Sequence, residues 1–279
     1  MVTTDQLRRT RVEARPGTRL PYGLLSAAAV VPIGDRHELN GVDWQPLSCG
    51  VGLTTGWCVP DFDTDEERTK EFTRPENLTA PAVTAYHAVE CSVLGFPYDE
   101  AVARARAVLD VGEQAALEGW LWDEMTAAAT DVSAGAGDGS VVGRLAELEL
   151  ALAGATGGVG VIHVPIVLAS YLGASGAVER DGARLRTLAG HLVSIGAGYP
   201  GTSPAGDAPD PDEVWMMASG PVTVRQDEVQ VVPASERDSV ALATNDRRVV
   251  AERTSVVQHE CGSFAVLVAK SCCPATVGS

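Results

Sequence analysis

The residues with the most chemical promise lie between positions 154 and 194. Gly154 to Gly160 reads GATGGVG and is followed by an apolar run and, about 20 residues on, by Glu179. Glycines at that spacing permit a tight turn whose backbone N–H groups, with a helix N-terminus behind them, hold a pyrophosphate. His163, inside VIHVP, and His191 with Ser194 add imidazole and hydroxyl groups of the kind used in proton transfer and nucleophilic attack. Upstream, Asp61, Asp63 and Asp65 alternate as oxygen ligands of a hard cation do, and six cysteines offer thiolates.

Each of these sets lacks a further element that its chemistry requires. The glycine run resembles the fingerprint of the zinc-independent quinone reductase branch of nicotinamide dehydrogenases. That site needs a strand before the glycines and a helix directly after them. Here the preceding LAELELALA has helical periodicity, and Pro165 interrupts the segment in which the phosphate-binding helix would lie. The predicted role is a helix-ending turn, and a nicotinamide-dependent oxidoreductase using Gly154–Gly160 is the enzyme alternative. His163 reads as a satisfied core histidine, and His191 and Ser194 have no acidic partner at a motif spacing. The aspartates lack the central glycine and terminal glutamate of an EF-hand loop. Cys49 and Cys58, His87 and Cys91, His259 and Cys261, and Cys272 and Cys273 include no paired CxxC, so reduced, buried or incidental thiols are expected, with a bridge between subunits as the residual alternative. No catalytic, cofactor-binding or metal site is assigned, and the chain is expected not to be an enzyme.

Composition narrows the rest. A chain of 279 residues with 45% hydrophobic and 21% charged residues can bury a substantial core. A formal charge of -16 argues against a surface that wraps nucleic acid, which needs clustered cations. Lys70 and Lys270 are the only lysines, and the many glycines and alanines match a high-GC genome. The basic residues Arg8, Arg9, Arg11, Arg15 and Arg19 crowd the first 19 positions against Asp5 and Glu13. Opposite in sign is the polar stretch Asp61 to Glu76, which contains Asp61, Asp63, Asp65, Glu66 and Glu67. These two sets are the candidate inter-subunit contacts. The apolar stretch from Leu24 to Ile33 is short for an export signal, so the chain is expected to be unexported and without a membrane span.

These residues must be held by elements, and the dominant one is Tyr98 to about Ala129. Pro97 precedes it, Asp99 and Glu100 suit its positive end, and Glu100 can pair with Arg104. Val102, Leu109, Leu117, Trp120, Leu121 and Met125 form an apolar stripe, with Arg104, Arg106, Asp110, Glu113 and Glu118 expected to point elsewhere. At 1.5 Å per residue the rod is roughly 45 Å long. Gly112 and Gly119 each cost about 1 kcal/mol in such a helix, which implies tertiary support. Strands and turns are predicted from Leu20 to Pro60 with Trp44 and Trp57 as anchors, and a strand over Pro81–Leu94. Further on come a helix over Val141–Ala153, a strand in VGVIHV, a short helix near Pro165, a turn at Asp181 and Gly182, and a strand at Leu192–Ile195. Two or three strands come next in VWMMASGPVTVRQDEVQVV, and RRVVAERTSVVQH is expected to pair with SFAVLVAK around Cys261 and Gly262. This irregular mixing points to α+β.

In that order the elements resemble the HK97-type fold of tailed-bacteriophage major capsid proteins, shared with encapsulin shells. VVAERTSVVQHECGSFAVLV is similar to that family's closing strands, and VIHVPIVLASYLGASGAVERDGARLRTLAGHLVSIGAGYPG to its strand, helix and strand passage. The resemblance implies an N-terminal arm at 1–20, a strand-rich segment with an E-loop at 21–94, a spine helix and P-domain at 95–138, an A-domain at 139–221, and P-domain return strands with a tail at 222–279. It also implies a self-assembling icosahedral shell of pentamers and hexamers around double-stranded DNA, without sequence-specific binding. Scaffolding, cement and portal proteins are the implied partners, and the implied location is the virion, after assembly in the host cytoplasm. An encapsulin-like compartment and another head or tail protein are the structural alternatives.

Overall fold

The computed structural model describes residues 12, 14–53, 74, 76–133 and 139–270. Along the chain run α1 (Leu24–Ala27), β1 (Ala29–Pro32), β2 (Val42–Trp44), β3 (Leu78–Ala80), β4 (Ala82–Ser92), α2 (Tyr98–Thr126), β5 (Ala129–Asp131) and α3 (Val141–Thr156). Then come β6 (Val161–Pro165), α4 (Ala169–Ser175), β7 (Val178–Asp181), β8 (Arg184–Thr187), β9 (Leu192–Gly196) and β10 (Glu213–Ser219). The chain ends in β11 (Val222–Gln226), β12 (Gln230–Val232), β13 (Val240–Ala241), β14 (Asp246–His259) and β15 (Ser263–Ala269). The mixture is α+β, as the sequence pattern predicts.

Two sheets organise the molecule. In the first, β4 pairs antiparallel with β14 from Ala82 opposite Val256 to Ser92 opposite Asp246. The same β14 also carries β11, β12 and β13, and β1 lies parallel to β11. The second sheet has the order β5-β15-β10-β6-β9-β8-β7. Its central strand β6 is buried at all five positions, as a strand covered on both faces must be.

The α2 helix joins the two. Its first half sets Ala101, Ala105 and Leu109 against Ala85, Val89, Val249 and Ala251 of the first sheet. Its second half sets Leu117, Leu121, Trp122 and Met125 against α1 and against Val161, Met217 and Ala265 of the second sheet. Each fully buried leucine, valine or methionine side chain among these contributes about 1.5–3 kcal/mol. The opposite face of the second sheet is covered by α3 through Leu145, Leu148 and Leu152, by α4 through Leu172, and by Leu168 just before α4. Ser140 caps α3, its hydroxyl accepting from Gly143 N at 3.2 Å, and Gly157 closes it in the left-handed conformation at φ 60°.

Three expectations need correction. The strands β14 and β15 do not pair; they belong to different sheets. Cys261 and Gly262 both have positive φ (60° and 78°), and this left-handed pair turns the chain from one sheet into the other. Secondly, Glu113 and Glu118 point inward, at 2% and 0% exposure, whereas Val102 and Trp120 are only half-buried. Thirdly, the segment after Leu20 includes the short helix α1, whose Leu24 is fully buried. Gly119 approaches Gly198 O, as its cost demands, while Gly112 faces open space.

Candidate functional site

Chemistry-bearing side chains converge where α2 passes beneath the second sheet. Glu118 reaches across the gap with both oxygens engaged: Oε1 accepts Leu24 N at 3.1 Å and Oε2 accepts Gly198 N at 2.9 Å. Burial pushes its carboxyl up, and the two N–H donors work against that shift. The backbone can come this close because residue 198 is glycine; a Cβ there would collide with Ala115 O of the helix. One turn further on, Trp122 Nε1 donates to Thr202 Oγ1 at 3.0 Å, and its ring lies 5.7 Å from that of Tyr199.

Tyr199 opens a second buried network. Its hydroxyl lies 3.0 Å from His163 Nδ1 and 2.8 Å from Ser194 Oγ, and His163 Nε2 lies 3.0 Å from Ser219 Oγ. The Ser219 hydroxyl donates to Gly220 O at 3.1 Å. That assigns the Nε2–H tautomer to His163, which donates to Ser219 and accepts from Tyr199. Burial and the neighbouring His259 hold His163 down at about 3, so it is neutral at physiological pH. Tyr199 is pushed up by burial and by the nearby Glu118. His163, Ser194 and Ser219 are all 0% exposed, which leaves no place for a substrate atom beside them. The imidazole and hydroxyls hold neighbouring strands together and are not positioned to attack anything.

A second carboxylate fixes the middle of α2. Glu113 Oε2 accepts from Arg253 Nη1 and Oε1 from Gln226 Nε2, each at 3.0 Å, which ties the helix to β14 and β11. Burial raises the Glu113 carboxyl, and Arg253 and Arg19 oppose that rise. His191 has likewise become structural, its Nδ1 accepting Gly160 N at 3.1 Å.

The sequence-derived candidates separate. Arg15 and Arg19 are exposed, and Arg19 lines a cavity of about 380 Å³ with Asp110 and Gln114 of α2. Arg8, Arg9, Arg11, Asp61, Asp63, Asp65, Glu66 and Glu67 lie outside the described residues, as does Trp57. The glycine run forms the last turn of helix α3 and the turn that precedes strand β6, the reverse of a nucleotide-binding turn. The expectation of reduced thiols fails for Cys49 and Cys261, which form a disulfide within one chain with Cα atoms 4.9 Å apart, and holds for Cys91, which is free; Cys58, Cys272 and Cys273 lie outside the described residues. The two bridged cysteines are 212 positions apart, so no local signal announces their meeting. For Glu113 and Glu118 a signal existed: they fall three or four residues from Leu117, Leu121 and Trp122, on the apolar stripe itself.

No family model matches the sequence, and no curated protein matches it. Solved structures do. The capsid of Ralstonia phage GP4 superposes with a TM-score of 0.53 at 9% identity, over 95% of this chain and 96% of that one. The capsid of the native GTA particle gives 0.52 at 14% identity, over 94% and 95%. A chain of the bacteriophage PhiM1 mature capsid gives 0.50 at 13% identity, over 94% and 91%. The fold is the HK97-type capsid fold. Within it the long helix α2 lies against both sheets, Glu113 tying it to β11 and β14 and Glu118 to Leu24 of α1 and to Gly198 just after β9. Among the described residues no helix is long and apolar enough to cross a membrane.

Proposed function

We propose that this chain is the structural subunit of an icosahedral bacteriophage head that encloses double-stranded DNA. The observation that carries the reading is the likeness to capsid chains over nearly the whole length of both partners. A capsid subunit needs a stiff body that meets its copies through several distinct surfaces. The 29-residue spine, bolted to two sheets, supplies the stiffness. In this reading residues 1–20 are an arm and the strand-rich stretch 21–94 carries an E-loop. The spine and the first part of a P-domain occupy 95–138, the A-domain 139–221, and the returning P-domain strands 222–279. The -16 charge fits a shell wall that confines DNA without gripping it. Buried polar groups held in structural roles fit a subunit that does no chemistry. Scaffolding, cement and portal proteins would act on copies of this chain as it assembles in a host cytoplasm.

The test is electron microscopy of the purified full-length protein, with size-exclusion elution alongside. Closed shells of uniform diameter support the reading. A small discrete oligomer under every assembly condition tried overturns it.

A further inference from the structure

The disulfide holds down a stretch of chain that has no charge. Residues 47 to 53, Leu-Ser-Cys-Gly-Val-Gly-Leu, cross from the end of β14 to the end of α3. Besides the Cys49–Cys261 bridge, Ser48 N donates to Glu260 Oε2 at 3.2 Å, and Gly50 N donates to Ala155 O at 2.7 Å. Val51 then lies against Gly157, close enough that a Cβ on Gly157 would touch its Cγ1 at 3.6 Å.

What this strap adjoins is the outer face of α3. Val142, Ala146, Leu150 and Gly154 succeed one another at four-residue steps, all exposed and all uncharged. The helix's charged residues are turned aside: Arg144 and Glu147 pair at 2.7 Å with side chains about 15% exposed, and Glu149 is half-buried. Leu150 is 76% exposed, Leu47 95% and Leu53 68%, with Val51 and Val159 about half exposed. The strap meets the C-terminal end of this helix at Ala155 and Gly157, held there by a covalent bond and by hydrogen bonds from two backbone N–H groups, so the two exposed apolar stretches adjoin. A surface of that kind marks a contact site.

We infer that this face is an interface between copies of this chain, with the strap and α3 of one copy seated on a neighbouring copy. The inference rests on the capsid reading and names one contact within it. Charge selects the occupant. Every copy carries -16, so two copies approach most easily where neither exposes a charge: the exposed residues of this face are all uncharged, and its nearest carboxylates, Glu149 and Glu260, are half-buried. With no Lys or Arg on it, it has nothing to offer a phosphate backbone. Burying the face against a like subunit removes apolar surface from water without desolvating an ion.

The test compares the full-length chain with Leu150→Glu and Leu150→Lys by analytical ultracentrifugation and electron microscopy, with circular dichroism to confirm folding. Leu150 is so exposed that both variants keep the fold. Assembly is expected to fall about tenfold or more in both, because either sign of charge must be desolvated at the contact. If the unaltered chain closes shells and both variants do so equally well, this interface is overturned and the capsid reading stands. If the unaltered chain forms open oligomers that both variants dissolve, the interface stands and the shell reading falls. An unaltered chain that stays monomeric overturns both.

Discussion

Glu118 on the spine helix accepts the backbone N–H of Gly198 at 2.9 Å, from a segment 80 residues further along the chain. The same carboxylate takes Leu24 N, 94 residues earlier, so one side chain clamps three distant segments. Replacing it with leucine keeps the bulk but strands two buried donors, at about 1–3 kcal/mol each. Glu118→Leu should therefore lower unfolding free energy by about 2–5 kcal/mol in a denaturant titration. A loss below about 1 kcal/mol would mean that the clamp is dispensable.

The buried imidazoles make stability depend on pH. His163, His191 and His259 are all depressed by burial, His163 to about 3. A depressed histidine binds its proton first in the unfolded chain, so its contribution is complete above about pH 6.5 and is lost as pH falls from there. For His163 the loss continues down to about pH 3 and has a limiting slope of about 1.4 kcal/mol per pH unit. Glu113 and Glu118 are raised, and their sign is opposite: they favour the folded state as pH falls through their folded values toward the ordinary carboxyl range. Unfolding free energy measured from pH 7 to 5 should fall. The slope should be shallower in His163→Asn, whose amide cannot titrate; an unchanged slope would remove His163 from this account.

Much of the fold could be read from the chain because local pattern and tertiary role agree. The spine, α3, β6 and β9 appear within a few residues of where periodicity places them. The failures share a physical cause, which is that long-range partners decide them. Pairing of β14 with β15 is the natural reading of two strands around a glycine turn, yet Cys261 and Gly262 are both left-handed and carry the chain to another sheet. Glu113 and Glu118 look solvent-facing by residue type, and only Arg253, Gln226, Leu24 and Gly198 make their burial tolerable. Within the polar centre, His163 was readable as a core residue from its apolar neighbours, but its partners Tyr199 and Ser219 lie 36 and 56 positions away.

The Cys49–Cys261 bridge closes a loop of 212 residues, so it removes much of the freedom of the unfolded chain. Cys49→Ser should cost about 2–5 kcal/mol and lower the melting temperature, and a reducing agent should reproduce the effect in the unaltered chain but not in the variant. Differential scanning calorimetry with and without reductant checks this. Equal melting temperatures in all four samples would show that the bridge contributes nothing.

The arm offers the sharpest separation of folding from assembly. Of its described part, Gly17 packs near Val111 of α2, and Arg19 stands beside Asp110 and the buried Gln114 of the same helix. Among the described residues, none before Tyr22 belongs to the three buried clusters. Removing residues 1 to 19 therefore takes none of the described core, and the shortened chain should unfold within about 1 kcal/mol of the intact one. If the arm's five arginines register a subunit on acidic neighbours, the same deletion should prevent closed shells from forming, with an effect that grows as salt is lowered. Denaturation and electron microscopy of the shortened chain read the two effects separately. Normal shells from a chain without residues 1 to 19 would take the registering role away from the arm and leave it to the uncharged and buried surfaces of the body.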